Sequence, residues 1–480
     1  MTPAEHYETA PQDRISIPQR LIYGLGAFIN NLLAAAIGGM AIVLNLGLGM
    51  NPALVGLLGA LPRLTDAFTD PLMGYISDNT TTRWGRRRPF IFVGAILAGI
   101  IFAILWQLPA ARSETFYFVW FLVGSILFYM GYTIFATPWV ALGYELTPDY
   151  HERTRLMGTQ NFIGQLAYVV SPWFLWIMNS GKIFPDQVSG AAGLAIVIAL
   201  VAMGLGLLPA IFLRERMKDV AASELETTAP GRSFKENMAE FFRGFGITLK
   251  NIPFLKLCLA TFMVFNGFML IASFQFYVII YYVTGGDQTA GAKYAGMAGT
   301  VGAVCTFVVV VFVTWLATRI GKRHAFFISI GLSIVGYGLK WVCYNPDIPF
   351  LVILPAPLMA FGLGGLFTLV PSMIADVVDT DELKTHERRE GMFGSIFWWM
   401  VKLGMAAALA GGGYLLNATG FDVDLGGDQA PRSILMLRLF DAGIPMLTSA
   451  IAIWAVATFP ITEARAREVR EELEQRRGRG

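Results

Sequence analysis

The 480-residue sequence lacks the residue patterns of the common enzyme classes and of disulfide-stabilised proteins. Its three cysteines, Cys258, Cys305 and Cys343, lie within or beside apolar runs at no metal-ligand spacing, which argues against a disulfide framework or a zinc site. Its four histidines lie in polar segments or at their edges, and no zinc-peptidase, serine-hydrolase or P-loop pattern occurs. We therefore expect neither an enzyme nor a protein with a bound cofactor.

Charge is scarce as well. Only 15% of the residues are charged, 55% are hydrophobic, and the mean hydropathy is +0.56, so one soluble core cannot hold the apolar surface. The formal net charge of +2 gives no reason to expect a nucleic-acid partner. The polar stretch up to Arg20 lacks the pattern of a removable signal peptide, so we expect the first apolar run to insert directly into the bilayer.

Apolar runs long enough to span a bilayer, about 20 residues, form two sets of six. The first set lies near 21–47, 53–77, 90–110, 116–143, 157–179 and 190–213. The second lies near 254–285, 291–318, 325–344, 349–376, 391–416 and 434–460. We therefore predict an all-α membrane protein with an N-terminal six-helix bundle (1–213), a cytoplasmic linker (214–253), a C-terminal six-helix bundle (254–460) and a cytoplasmic tail (461–480).

Basic residues concentrate in alternate loops. These residues are Arg83, Arg86, Arg87, Arg88, Arg153, Arg155, Arg319, Lys322, Arg323, Lys384, Arg388 and Arg389. The positive-inside rule assigns these loops, the linker and both termini to the cytoplasm, and we expect a bacterial inner membrane.

The loops after the second and eighth spans resemble each other. One reads Arg83-Trp-Gly-Arg-Arg and the other Arg319-Ile-Gly-Lys-Arg. Parallel halves of this kind are typical of the major facilitator architecture.

The second span carries three ionisable residues, Arg63, Asp66 and Asp70. Each costs roughly 2.5–3.5 kcal/mol near the bilayer centre, and their spacing turns them onto one helix face within about 60°. Two carboxylates with one arginine leave a net negative site that an entering Na⁺ or H⁺ would neutralise. The alternative is a structural ion-pair network.

Lys402 in the eleventh span would seek a carboxylate across the bundle, whereas Lys340, late in the ninth span, is expected to extend to the membrane interface.

The end of the second span predicts a gate. Gly74 would allow close helix approach, and Asp78 would bond the arginines of the following loop or a helix N-terminus. Arg83, Gly85 and Arg86 of that loop complete the predicted latch.

Three further segments are similar to one transporter family. The second-span segment Asp66-Ala-Phe-Thr-Asp70-Pro-Leu-Met-Gly, the loop Arg-Trp-Gly-Arg-Arg-Arg-Pro and Ile-Ala-Asp376-Val-Val-Asp379 before the eleventh span resemble the glycoside-pentoside-hexuronide:cation symporters of the major facilitator superfamily. The resemblance covers nearly the whole chain and implies cation-coupled sugar transport. It implies a cation site at Asp66, Asp70 and Thr133, with Thr69 where a family member has an asparagine ligand, and gating roles for Asp376 and Asp379.

The resemblance transfers the sugar contacts less completely. The family's galactoside transporters have charged or aromatic residues at five positions that bind the sugar. This chain has uncharged, non-aromatic residues at the same positions, namely Asn30, Asn31, Ala136, Val140 and Asn161. The candidates for substrate binding are therefore Asn31, Arg63, Tyr132, Trp139, Asn161, Phe367, Trp398 and Lys402. Ordinary packing or lipid contact is the alternative for each aromatic residue.

The sequence thus predicts a monomeric secondary transporter that couples entry of H⁺ or Na⁺ to symport of a sugar or glycoside. A proton-coupled exporter of metabolites or drugs, a lysolipid carrier and a non-transporting receptor stay open as alternatives. Opposed ion and substrate gradients would identify the exporter, and a lateral apolar cleft would identify the lysolipid carrier.

Overall fold

The computed structural model describes residues 14–78, 80, 82–109, 111–147, 150–215, 250–385 and 390–476. Within these residues all regular secondary structure is helical. The helices before the linker are α1 (Ile17–Met40), α2 (Ile42–Leu46), α3 (Pro52–Asp78), α4 (Arg88–Leu105), α5 (Glu114–Glu145), α6 (Tyr150–Val170), α7 (Phe174–Met178) and α8 (Gln187–Phe212). Most of the predicted linker lies outside the described residues.

The helices after the linker repeat this arrangement and add a terminal helix. They are α9 (Ile252–Ile271), α10 (Phe274–Tyr277), α11 (Gln288–Ile320), α12 (Lys322–Cys343), α13 (Pro355–Thr385), α14 (Glu390–Ala418), α15 (Pro431–Ala457) and α16 (Glu463–Arg476). A π-helical segment, Val278–Val283, continues α10. Helix α13 runs nine residues past the predicted end of the tenth span, so Asp376 and Asp379 lie within a helix.

Polar side chains fix where several helices begin. Asp186 accepts a hydrogen bond from the backbone of Ser189, whose side chain bonds back to Asp186, and together they form a capping box at the start of α8. Ser113 and Asp287 cap α5 and α11 through single bonds to backbone N–H groups. Such caps satisfy amide groups that the first helical turn leaves without partners.

Ten helical stretches of the described chain are long and apolar enough to cross a membrane. Helices α3 and α6 fall outside this set of described stretches. Helix α3 carries Arg63, Asp66 and Asp70, and α6 begins with the charged residues around Glu152 and Arg155. The two helices complete the twelve predicted spans, and α3 holds ionisable groups that have to face protein or water.

Contacts divide the chain into two units. The first comprises Met1–Val43 and Leu64–Phe234, and the second comprises Leu44–Arg63 and Lys235–Gly480. The start of α3 thus belongs to the second unit, where the carbonyl oxygen of Pro52 lies 2.2 Å from the position of a Cβ on Gly413 of α14. Only a glycine permits this approach. The predicted division into bundles followed chain order and therefore placed all of α3 in the N-terminal bundle.

Candidate functional site

In the first unit, α3 and α5 meet at a carboxylate and a threonine. The Thr133 hydroxyl donates a hydrogen bond to Oδ1 of Asp70 at 2.9 Å, and Thr133 is buried. The Thr69 hydroxyl oxygen is also buried and has no hydrogen-bond partner among the described residues. Asp66 lies in α3, but its side chain is outside the described part of the chain. Three of the four predicted cation ligands are thus placed, and two of them are in contact.

This group has the chemistry of a small-cation site. A threonine hydroxyl that donates its proton keeps lone pairs that can bind a cation, and carboxylate and hydroxyl oxygens suit hard cations. A buried hydroxyl with no partner costs free energy. A bound cation would offset that cost at Thr69.

A second polar group in the first unit joins α1 and α5. The Tyr132 hydroxyl donates to Oδ1 of Asn30 at 2.7 Å, and Nδ2 of Asn30 donates to Oδ1 of Asn31 at 3.3 Å. The Asn31 amide lies against Gly164 of α6, where a Cβ would come within 2.9 Å of its nitrogen. Asn161 is exposed one helical turn before Gly164. Asn31 and Tyr132 are therefore linked through Asn30, which was not among the predicted site residues.

Trp139 has a different environment. Its side chain is only 2% exposed, and its ring stacks on Tyr23 with centroids 5.0 Å apart. Its indole nitrogen donates to the Tyr23 carbonyl oxygen at 3.3 Å. Helices of the first unit enclose the ring, so the structure places no open surface beside it, and the substrate contact of Trp139 stays a prediction. The packing alternative describes it.

In the second unit, Phe367 of α13 and Trp398 of α14 stack with their rings 7° from parallel and 6.0 Å apart. Phe265 of α9 meets the Phe367 ring edge-on at 5.6 Å. Trp398 is 54% exposed, and Lys402 lies one turn further along the same face of α14. Arg63 of α3 is half-buried, and it is the last residue of the segment Leu44–Arg63 that belongs to the second unit.

Lys340 contradicts the prediction made for it. Its ammonium group is 2.8 Å from Oδ1 of Asp441, and both side chains are 2% exposed. The rings of Tyr337 and Tyr344 also face the ammonium group. The side chain does not extend to the membrane interface, because a carboxylate on α15 neutralises it inside the helix packing. Asp441, near the start of the twelfth span, was the sequence signal for this pair.

The predicted gate forms a set of charged contacts in the first unit. Arg86 donates to Oε1 of Glu145 at 2.7 Å, and Arg87 donates to the same oxygen at 3.0 Å. Arg87 also donates to the Ser77 hydroxyl at 2.6 Å. These bonds, which we call the N-latch, join the end of α3, the basic loop and the end of α5. Sequence reasoning missed Glu145, which follows the predicted fourth span (116–143) and is the last residue of α5.

Gly85 and Glu215 explain the conformation of the basic loop. Glu215 accepts hydrogen bonds from the backbone N–H groups of Arg86 at 2.7 Å and Arg87 at 3.1 Å. Gly85 has φ +107°, and a Cβ there would lie 1.8 Å from Oε2 of Glu215. Glycine is required both by the backbone angle and by this carboxylate.

The second unit repeats this chemistry. Lys322 lies 2.7 Å from Oδ2 of Asp376 and donates to the Ser372 carbonyl oxygen at 3.1 Å. Gly321 has φ +82°, and a Cβ there would lie 2.7 Å from Oε2 of Glu463. The resemblance between the two loops thus extends to three dimensions. We call this set the C-latch.

The structure describes the side chains of only some of the other predicted gate residues. Gly74 would carry a Cβ 3.9 Å from Thr137, an ordinary contact, so the close approach predicted there is wrong. Arg83 is exposed, and Asp379 is half-buried one turn after Asp376. The Asp78 side chain lies outside the described residues.

Two units of membrane-spanning helices, a latch at the basic loop of each unit and a carboxylate bonded to Thr133 within a span are typical of secondary transporters. A solved bacterial homologue of the human lysosomal transporter Spinster has the same fold, with a TM-score of 0.66 over 94% of this chain and 98% of its own, at 16% sequence identity. The predicted major facilitator fold is confirmed.

The chain belongs to the MFS/sugar transport protein family, whose sequence model matches residues 16–463. The glucuronide carrier protein homolog of Escherichia coli (strain K12) is 27% identical, with 95% of each chain covered. The sodium-dependent lysophosphatidylcholine symporter 1 of Gallus gallus is 23% identical, with 97% of this chain and 90% of the relative covered. Membership of the glycoside-pentoside-hexuronide symporters is confirmed.

Proposed function

We propose that this transporter couples inward movement of H⁺ or Na⁺ to symport of a sugar or glycoside. The observation that carries the proposal is the carboxylate of Asp70 held by Thr133, with the unpartnered hydroxyl of Thr69 in the next position of α3. A carboxylate inside a membrane span is costly, and such residues therefore mark ion pairs or ion-binding sites. A bound coupling cation would neutralise the carboxylate of Asp70, and Asp66 is proposed as the second carboxylate.

Each unit, taken by itself, has groups that suit a sugar, and these groups are the proposed substrate contacts. Asn31, Tyr132 and Asn161 supply groups that can bond sugar hydroxyls. Phe367 and Trp398 supply flat apolar faces, which suit the apolar side of a sugar ring. Arg63 and Lys402 are proposed to bind an acidic group, as in a glucuronide, which the name of the Escherichia coli relative favours.

The coupling has a defined energetic consequence. If the substrate is neutral, each cycle moves one positive charge, worth about 2.3 kcal/mol per 100 mV. That corresponds to about 50-fold accumulation at 100 mV. An acidic substrate would cancel this charge, so only the ion gradient would drive its accumulation.

The test is uptake into proteoliposomes of a panel of radiolabelled neutral and acidic sugars, with imposed Na⁺ or H⁺ gradients. Asp70→Asn should abolish gradient-driven accumulation and keep counterflow, because substrate exchange does not require net ion movement. Asp347→Asn, at an exposed loop aspartate, is the matched control. Full accumulation by Asp70→Asn would overturn the coupling proposal.

A second candidate substrate is a lysolipid. Its support is the alignment over 97% of the chain with the lysophosphatidylcholine symporter. The same assay with labelled lysophosphatidylcholine separates the two, because only one substrate class should respond to the gradient. Accumulation that rises when the ion gradient is reversed would instead identify an exporter. We further propose a monomer in the bacterial inner membrane with both termini in the cytoplasm.

A further inference from the structure

An arginine is held rigidly near the start of α15, at a distance in sequence from every residue of the proposed transport site. The guanidinium carbon of Arg438 lies 4.1 Å from the centre of the Tyr282 ring and 4.3 Å from that of Trp341. Its Nη2 donates to the Trp341 carbonyl oxygen at 2.8 Å. Two rings from two other helical segments thus hold the planar group between them, which fixes its orientation before any ligand arrives.

No carboxylate in the part of the chain that the structure describes neutralises the charge of Arg438. Asp441, one turn further along α15, is paired with Lys340 at 2.8 Å. Within the described residues, no aspartate or glutamate forms an ion pair with Arg438. The cluster of Lys340, Arg438 and Asp441 therefore carries a net charge of +1.

The surface around the arginine is apolar and exposed. Trp341 is 42% exposed, Val342 70%, Leu435 47% and Leu439 45%. On a helix that spans a membrane, such side chains face lipid. A soluble anion would have to reach the guanidinium through this apolar surface, whereas a lipid lies against it already.

The position of Arg438 along α15 matches the depth of a lipid headgroup. Arg438 follows the first residue, Pro431, by seven positions, or about 10 Å of helix. The 27-residue helix is about 40 Å long, and the hydrocarbon layer is about 30 Å thick. If the helix is centred, Arg438 starts about 5 Å inside the hydrocarbon boundary, within reach of a phosphate for a side chain of its length.

We propose that Arg438, Tyr282 and Trp341 form a binding site for the phosphate of an anionic membrane phospholipid. The forked N–H groups of a guanidinium match phosphate oxygens, and the aromatic rings remove most of the side-chain freedom that binding would otherwise cost. The net charge of +1 favours an anionic headgroup over a zwitterionic one. The site is independent of the proposed transport function, because it needs neither the cation site nor the substrate residues.

The experiment measures thermal unfolding of the purified full chain in detergent, titrated with phosphatidylglycerol or phosphatidylcholine of identical acyl chains. Phosphatidylglycerol should raise the Tm of the wild type at lower concentration than phosphatidylcholine. Arg438→Gln should need at least about tenfold more phosphatidylglycerol for the same rise. Arg432→Gln, at an exposed arginine in the first turn of α15, is the matched control and should respond as the wild type does.

Three results would overturn the proposal. They are an unchanged phosphatidylglycerol response in Arg438→Gln, equal responses to the two lipids in the wild type, and equal protection by inorganic phosphate, which would indicate a soluble-anion site. If Arg438→Gln does not yield folded protein, Arg438→Lys carries the comparison. That variant keeps the charge and loses the fork, so its phosphatidylglycerol response should weaken severalfold, and an undiminished response would again overturn the site.

Discussion

The buried pair of Lys340 and Asp441 gives the sharpest stability prediction. Replacing Lys340 by Met leaves an uncompensated carboxylate in the packing between α12 and α15, and replacing Asp441 by Leu leaves an uncompensated ammonium group. Both side chains are 2% exposed and their charged atoms are 2.8 Å apart. Each single change should therefore be strongly destabilising, whereas the double change removes both charges together.

The expected magnitudes follow from the distance and the burial. At 2.8 Å and an effective dielectric constant of 20, the attraction between the charges is about 6 kcal/mol. Desolvation offsets much of it, so breaking one side of such a pair typically costs about 3–5 kcal/mol, while replacing both partners by apolar residues is often nearly neutral. The coupling energy of the double-mutant cycle should therefore be several kcal/mol.

The assay is unfolding of purified protein in detergent, by heat or denaturant, for the wild type, Lys340→Met, Asp441→Leu and the double variant. The double variant should be more stable than either single variant and should transport substrate in proteoliposomes. Single variants as stable as the wild type would refute the reasoning about burial. A double variant with the summed cost of the two single changes would refute the pairing.

The remaining predictions concern the latch, the cation site and the aromatic stack. Gly85→Ala should lower the Tm and the transport rate, because the new Cβ would meet the Glu215 carboxylate and the backbone angle would be strained. Such backbone strain costs about 1–3 kcal/mol. Thermal unfolding measures the change in Tm, and an unchanged Tm would contradict the prediction. Thr133→Val should raise the cation concentration for half-maximal uptake about tenfold, because the hydroxyl that holds Asp70 is lost. Thr133→Ser keeps a hydroxyl and should keep wild-type uptake. Equal dependence of uptake on cation concentration in all three proteins would exclude a ligand role for Thr133. Trp398→Ala should raise the substrate KM more than it lowers the maximal rate, as measured by initial-rate uptake at saturating cation. A lower maximal rate with an unchanged KM would contradict a substrate contact and would fit a ring that faces only lipid.

The sequence predicted helices well wherever their chemistry is local. Length and hydropathy mark ten of the twelve predicted spans within the described residues, because a membrane helix satisfies its backbone hydrogen bonds internally and is marked by its own apolar residues. The second-span carboxylates were recognisable for the same reason, since a charge inside an apolar run stands out without knowledge of its neighbours.

Partners between helices could not be predicted in this way. Lys340 was expected at the membrane interface because the sequence does not say that Asp441, a hundred positions away, faces it. Trp139 was assigned to substrate because burial of an aromatic ring depends on the helices around it. Gly74 and Gly85 show the same limit. Gly74 lies near the end of the second span and Gly85 follows it, but only Gly85 has a carboxylate where its Cβ would lie.

The two latches have a consequence for the origin of the chain. In each half, a carboxylate shortly after the last span, Glu215 or Glu463, lies against the glycine of that half's own basic loop. Among the described residues, each of these two contacts thus lies within a single unit. This is the arrangement expected if a gene for a six-helix protein was duplicated and fused, since each copy would then have brought its own basic loop and its own carboxylate.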